Sequence, residues 1–407
     1  MRELKLAMGH VVVLVMTLVW LASAGADEPD RRSLTVFDSC AAESHPARMT
    51  HHASAGQPDH CETAADFPTG WSLLTNWGTK PQWLNPTSFV FVSNLVGDVF
   101  RMDVESGAID RLTGHFSHAG FTRVHVLSNG DLLLLGPSSG SPPPANPLAP
   151  HDAGMFNGDL FVLRRPFDGE PLPLHRNAWE GIAVSRETMQ IAWSTTNVSF
   201  YARNPDGSIA LLATGLRYLC QPTSIRTGRF GYYSEGVPRL EEEREVVSKW
   251  NVGAVFLEPQ DFVGPSDESL LVSVYGIVDG FSDRIVVDMA DGSFAKMDHP
   301  LGGGYDEWEG VHPSGDSAFV EVSDSWLGKP GSSWDLYLYD LATGAYRIVT
   351  EPSTVFPHEP VFAPGGRWAL TATAARGGWP GYSAGILLID LEADAKSDPE
   401  SRSQTTR

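Results

Sequence analysis

Positive charge is scarce in this chain: 29 Lys and Arg stand against 50 Asp and Glu over 407 residues, a formal net charge of −21. Such a balance repels the phosphate backbone of nucleic acid and anionic membrane faces, which excludes a nucleic-acid partner. Long apolar runs are also missing after the first 26 residues, so no later segment is expected to span a bilayer. Amphipathic stretches of ten or more residues between strands are absent, which argues against alternating α/β architecture. P-loops, GxGxxG cradles and an HExxH zinc helix are absent too. What the chain has is 42% hydrophobic residues, 40 Gly, 29 Pro and 12 Trp, a composition suited to turn-rich β structure with a sizeable core.

Residues 1–26 place Arg2 and Lys5 ahead of an apolar run from Val11 to Leu21, followed by small residues. This reads as a secretory signal with cleavage after Ala24 or Ala26. An uncleaved anchor would need roughly 20 apolar residues, more than this run offers. A secreted or periplasmic, soluble monomer is expected. Export permits disulfides, and a bridge between Cys40 and Cys61 would restrain a polar segment with little core of its own. Cys220 is then left as a small buried hydrophobe.

One pattern recurs from residue 80 to 391. Its first turn appears as VFRMDVESGAIDRLT (99–113), LFVLRRPFDGEPLPL (160–174), SFYARNPDGSIALLA (199–213), RIVVDMADGSFAKMD (284–298) and LYLYDLATGAYRIVT (336–350), centred on Gly107, Gly169, Gly207, Gly292 and Gly344. Glycine suits these places because such turns require a positive φ. Second-turn versions include FTRVHVLSNGDLLLLG, GVHPSGDSAFVEVS and PVFAPGGRWALTAT. The gap from Gly207 to Gly292 is about twice the ~40–45-residue period of a four-stranded propeller blade. A degenerate blade around AVFLEP (254–259) and LLVSVYG (271–277), preceded by a charged insertion LEEEREVVSK, would fill it. Pairing SFVFVSN (88–94) with ILLIDL (386–391) would close the ring and remove open sheet edges. The expected fold is therefore an all-β propeller of seven blades, with six as the alternative if the degenerate unit is only a loop.

The GVHPSGDSAFVEVS and PVFAPGGRWALTAT units, set beside strands of the DLYLYDLATG type, resemble the repeats of TolB-like (PD40, WD40-like) β-propellers. That resemblance implies an exported propeller used as a protein-docking platform, a peptidase gate or a polysaccharide-cleaving enzyme. Around the ring, residues 27–79 read as an N-terminal extension and 392–407 as a disordered tail. Residues 137–158 read as a Pro-rich surface loop.

Segments entering each unit near the channel align as His118-Ala119, Trp179-Glu180, Cys220-Gln221, Trp308-Glu309 and His358-Glu359. Several carboxylates converging on one axis repel one another unless a cation or positively charged ligand joins them. Two chemistries suit such a ring. In the first, Trp179 and Trp308 stack on sugars, with Gln221 also binding substrate, while Glu180, Glu309 or Glu359 supply the acid and base or nucleophile of glycoside hydrolysis. In the second, His118, His358, Gln221 and Glu359 hold a divalent metal, Mn²⁺, Zn²⁺ or Ca²⁺. This second set resembles the His/Gln site of the propeller oligogalacturonate lyases, a metal-dependent polysaccharide lyase chemistry. The alternative function is a non-catalytic platform for another exported protein. The cluster His51, His52 and His60 reads as a solvated loop, and Asn197-Val198-Ser199 as a glycosylation acceptor only in a eukaryotic host.

Overall fold

The computed structural model describes residues 70–137, 158–195, 224–254, 256–276, 282–299, 304–323, 334–350, 355–375 and 383–392. They form six antiparallel four-stranded sheets arranged as the blades of a propeller. Blade 1 comprises Thr79–Asn85, Ser88–Val92, Val99–Asp103 and Ile109–Arg111, and blade 2 comprises Arg123–Val126, Leu132–Gly136, Gly158–Leu163 and Leu172–Ala178. Blade 3 follows with Ile182–Val184, Gln190–Ser194, Ser224–Tyr232 and Pro238–Ser248. Blade 4 comprises Phe256–Val263, Ser269–Tyr275, Ser282–Asp288 and Phe294–Lys296, and blade 5 Tyr305–Val311, Ser317–Ser323, Trp334–Asp340 and Tyr346–Ile348. Blade 6 joins Val355–Phe362, Trp368–Ala375 and Ser383–Asp390 to the N-terminal strand Trp71–Thr75. First strands pack against one another between blades 1 and 2, 3 and 4, 4 and 5, 5 and 6, and 6 and 1, so they are the inner strands that line the axis.

The sequence pattern explains the stacking. Leu132–Leu135 is a continuous apolar run because its strand is buried on both faces. Leu132 and Leu134 pack with Val90, Val92 and Val99 of blade 1, whereas Leu133 and Leu135 pack with Ile191 and Trp193 of blade 3. At the closure, Phe89, Phe91 and Phe100 of blade 1 meet Leu370 and Ile386 of blade 6. Each blade thus buries its apolar faces only by having neighbours on both sides, which is why the ring must close.

Six blades, not seven, make the ring, and the reason lies in blade 3. Ser194 pairs with Ile225, so Ser224–Tyr232 and Pro238–Ser248 are the outer strands of that blade. The charged LEEEREVVSK segment is its outermost strand rather than an insertion, and the Gly207 unit, counted as a blade turn, falls in the connection outside the described residues. AVFLEP and LLVSVYG do form a blade, but Gly292 belongs to that same blade. Closure also uses a different strand from the one expected. Trp71–Thr75, assigned to the extension, pairs with Ser383–Asp390, and SFVFV is the second strand of blade 1. Turn glycines Gly107, Gly292 and Gly344 have φ of 70°, 75° and 74°, as the turn reading requires; in blade 2 the positive φ falls on Phe167 instead of Gly169.

The signal segment, the proposed Cys40–Cys61 bridge, Cys220, Gln221, Asn197, the three-histidine loop and most of the Pro-rich loop lie outside the described residues. No helix among the described residues is long and apolar enough to cross a membrane.

Candidate functional site: an axial cluster of carboxylates and cations

Inner strands are sheet edges, and the axial side chains sit where those edges bulge. The register slips between Thr79 and Gln82, Pro259 and Asp261, Trp308 and Val311, and His358 and Val361. A bulge adds a residue to one strand and re-aims its side chain. Lys80, Glu180 and Glu359 have φ of 55°, 33° and 52°, a left-handed backbone that non-glycine residues adopt at a cost. All three are charged, and all three belong to the same cluster.

Arg123, on the inner strand of blade 2, gathers it. Its guanidinium lies 3.1 Å from Glu180 and 3.4 Å from Glu258 through Nη2, and 3.3 Å from Glu359 through Nη1. Lys80 Nζ is 3.6 Å from the same Glu359 oxygen. His358 Nδ1 is 3.2 Å from Glu321, and its Nε2 is 3.6 Å from Glu359. Burial alone would raise the Glu359 carboxyl, but Lys80, His358 and Arg123 hold it down at about 2. Burial would lower His358, yet Glu321 and Glu359 raise it to about 9. Arg123 likewise stays charged, since Glu359, Glu180 and Glu258 outweigh its burial. The neighbouring His125 is pushed down to about 3 by burial and by Arg123, and its Nε2 is buried without a hydrogen-bond partner.

The blade 4 and blade 5 side differs. Glu258 is pushed well above the carboxylate range by burial and then by Glu180 and Glu307, against Arg123 and the Tyr275 hydroxyl, whose oxygen lies 3.0 Å away. Glu307 rises to about 7 through burial and Glu321, even though Tyr275, Tyr305 and Gln260 all donate to it. Burial, then Glu321, Glu307 and Glu359, push Glu309 well up. One guanidinium therefore touches a carboxyl held down in pKa, Glu359, and one pushed up, Glu258.

Of the three carboxylates foreseen in the sequence, Glu180 and Glu359 share Arg123, and Glu309 feels both Glu359 and Arg123. The other expectations require correction. Trp308 is 0% exposed, donates its indole N–H to the Ile285 carbonyl and packs over Arg284, so it offers no face to a sugar. Period-2 alternation sends Glu307 and Glu309 to the axis and Trp308 between the blades. Trp179 is 4% exposed and packs edge-on against Phe256. At His118, Nδ1 accepts from the Gly120 N–H and Nε2 faces Asp98 and the Thr113 carbonyl, so both nitrogens already have protein partners. His358 sits between Glu321 and Glu359, which raise it to about 9, so a metal there would have to displace its proton.

Lys80, Arg123, Glu258, Glu307 and Glu321 were not foreseen. Lys80-Pro81 and Glu258-Pro259 carry the signature of Glu359-Pro360, a charged residue before a proline, and Glu180-Gly181 and Glu309-Gly310 are its glycine versions. Proline is tolerated there because an edge strand loses no ladder bond.

No family model and no curated protein matches the chain. Solved structures that resemble it include TolB from Acinetobacter baumannii, at 10% identity and TM-score 0.46, covering 77% of this chain and 62% of that one. A putative TolB from Agrobacterium tumefaciens has 12% identity and TM-score 0.41, covering 68% and 76%. An oligogalacturonate lyase in complex with manganese has 11% identity and TM-score 0.46, covering 79% and 78%. At such identities the likeness concerns the fold alone. The described residues form a six-bladed β-propeller with a mixed-charge axial cluster.

Proposed function

We propose that this is an exported propeller that binds and cleaves a carbohydrate at its axial cluster. The observation that carries the reading is Arg123 in contact with both Glu258 and Glu359, two carboxyls whose surroundings push their acidities in opposite directions. Titratable pairs pushed apart in this way divide the roles of acid and charge stabiliser in glycoside hydrolysis. Glu258 gives its proton to the leaving glycosidic oxygen as the C–O bond breaks. Glu359 stabilises the positive charge on the sugar until water adds and gives a proton back to the Glu258 carboxylate, and the product is a new reducing end. Glu180, at 15% side-chain exposure, forms the open edge of the site with Arg123. Export to the periplasm or outside the cell rests on the apolar leader. The test is incubation of the mature protein with a panel of plant and microbial polysaccharides, reading reducing ends and unsaturated uronates. New reducing ends, lost by at least about a hundredfold in Glu359→Gln and Glu258→Gln, support the reading; no product and no binding across the panel remove it.

A second reading, a non-catalytic platform for an exported protein, is favoured by the neutralisation of Glu180 and Glu359 by Arg123 and Lys80 and by the burial of both tryptophans. It expects no product from any polysaccharide, and the axial variants then alter stability alone.

A further inference from the structure

We propose that Glu307, Glu309 and Glu321 form an axial binding site for Ca²⁺, on the blade 5 side of the cluster. Glu307 and Glu321 face each other across the first two strands of that blade, and the bulge after Trp308 turns Glu309 toward them. One carboxylate oxygen from each of the three lies within 4.8 Å of those of the other two. Three oxygens spread evenly around a Ca²⁺ at 2.3–2.6 Å lie about 4.0–4.5 Å apart, a spacing inside that limit, and a hard all-oxygen set suits this ion. An all-oxygen donor set also disfavours Zn²⁺.

The independent observation is Glu309. It is 9% exposed, its carboxylate points into the triad, and no hydrogen bond or ion pair reaches it among the described residues. Its two companions are already fixed in position, because Tyr275, Tyr305 and Gln260 donate to Glu307, and the Glu359 N–H and His358 hold Glu321. Six carboxyl groups, Glu180, Glu258, Glu307, Glu309, Glu321 and Glu359, stand against three cationic groups, Lys80, Arg123 and His358, so a bound cation would offset the charge of the triad once its carboxyls are deprotonated. Both histidines first considered as ligands stay outside this set.

The site stands apart from the carbohydrate reading: Ca²⁺ binding without any polysaccharide product leaves this inference and removes that one. The experiment is calorimetric titration of the metal-free full chain with calcium chloride, beside thermal unfolding with and without Ca²⁺. One site per chain is expected, with a raised unfolding midpoint and affinity at least about tenfold weaker in Glu309→Gln. Should that variant fail to fold, Glu309→Asp, with the same charge and shorter reach, reads the same loss. Absence of binding overturns the inference. So does binding unchanged in the variant, which places the ion elsewhere, for example at His51, His52 and His60.

Discussion

The two sides of the axis carry the same residue type and treat it oppositely. Toward blades 1, 2 and 6, Glu359 has Lys80, Arg123 and His358 within 3.3–3.6 Å and is fully ionised. Toward blades 4 and 5, Glu258, Glu307 and Glu309 are buried beside one another, with tyrosine hydroxyls at the first two only, and are driven toward the protonated form. Burial is common to both sides, so the count of nearby cations decides the outcome. Arg123 is the boundary, touching both kinds.

Removing that boundary should be the most damaging change. Arg123→Ala leaves Glu180, Glu258 and Glu359 buried without their shared cation, and a loss of about 3–5 kcal/mol in urea unfolding is expected. Next, Tyr275→Phe deletes the hydroxyl that reaches both Glu258 and Glu307; a loss of about 1–3 kcal/mol is expected, from two buried acceptors left with fewer donors. By contrast, Asp110→Asn breaks the exposed Arg101–Asp110 pair on blade 1 and should shift stability by no more than about 0.5 kcal/mol.

The ionised side also has a pH signature. His358 titrates at about 9 in the folded chain against an ordinary 6.5, so the folded state holds the proton more tightly. Its contribution is fully present below about pH 6.5 and is lost as pH rises through 9. In Glu359→Gln one of its two carboxylates is gone, the imidazole should titrate lower by NMR, and this alkaline loss should shrink. An unchanged His358 titration in that variant would break the comparison.

Much of the ring is legible in the sequence because glycine turns and period-2 strands are local. The blade count is not, because blade 3 departs from the repeat: its outer strands are SIRTGRFGY and the charged PRLEEEREVVS, while a better match to the turn pattern sits at Gly207 outside any described sheet. WSLLT is unreadable as the closing strand because five residues with no turn partner carry no period. Within the cluster, the carboxylates beside tryptophan stand out and Glu258 does not, although Glu258-Pro259 marks it. Arg123 has no such mark; its role arises only when three distant stretches meet. Reading Trp308 as a sugar platform ignores alternation, which cannot send adjacent residues of one strand to the same face.

The most direct measurement is neutron diffraction from metal-free crystals grown at neutral pH in deuterated solvent. A deuteron is expected on the Glu258 carboxyl, none on Glu359, and deuterons on both His358 nitrogens. Glu258 and Glu359 found in the same protonation state would contradict the division of the axis into an ionised and a protonated side.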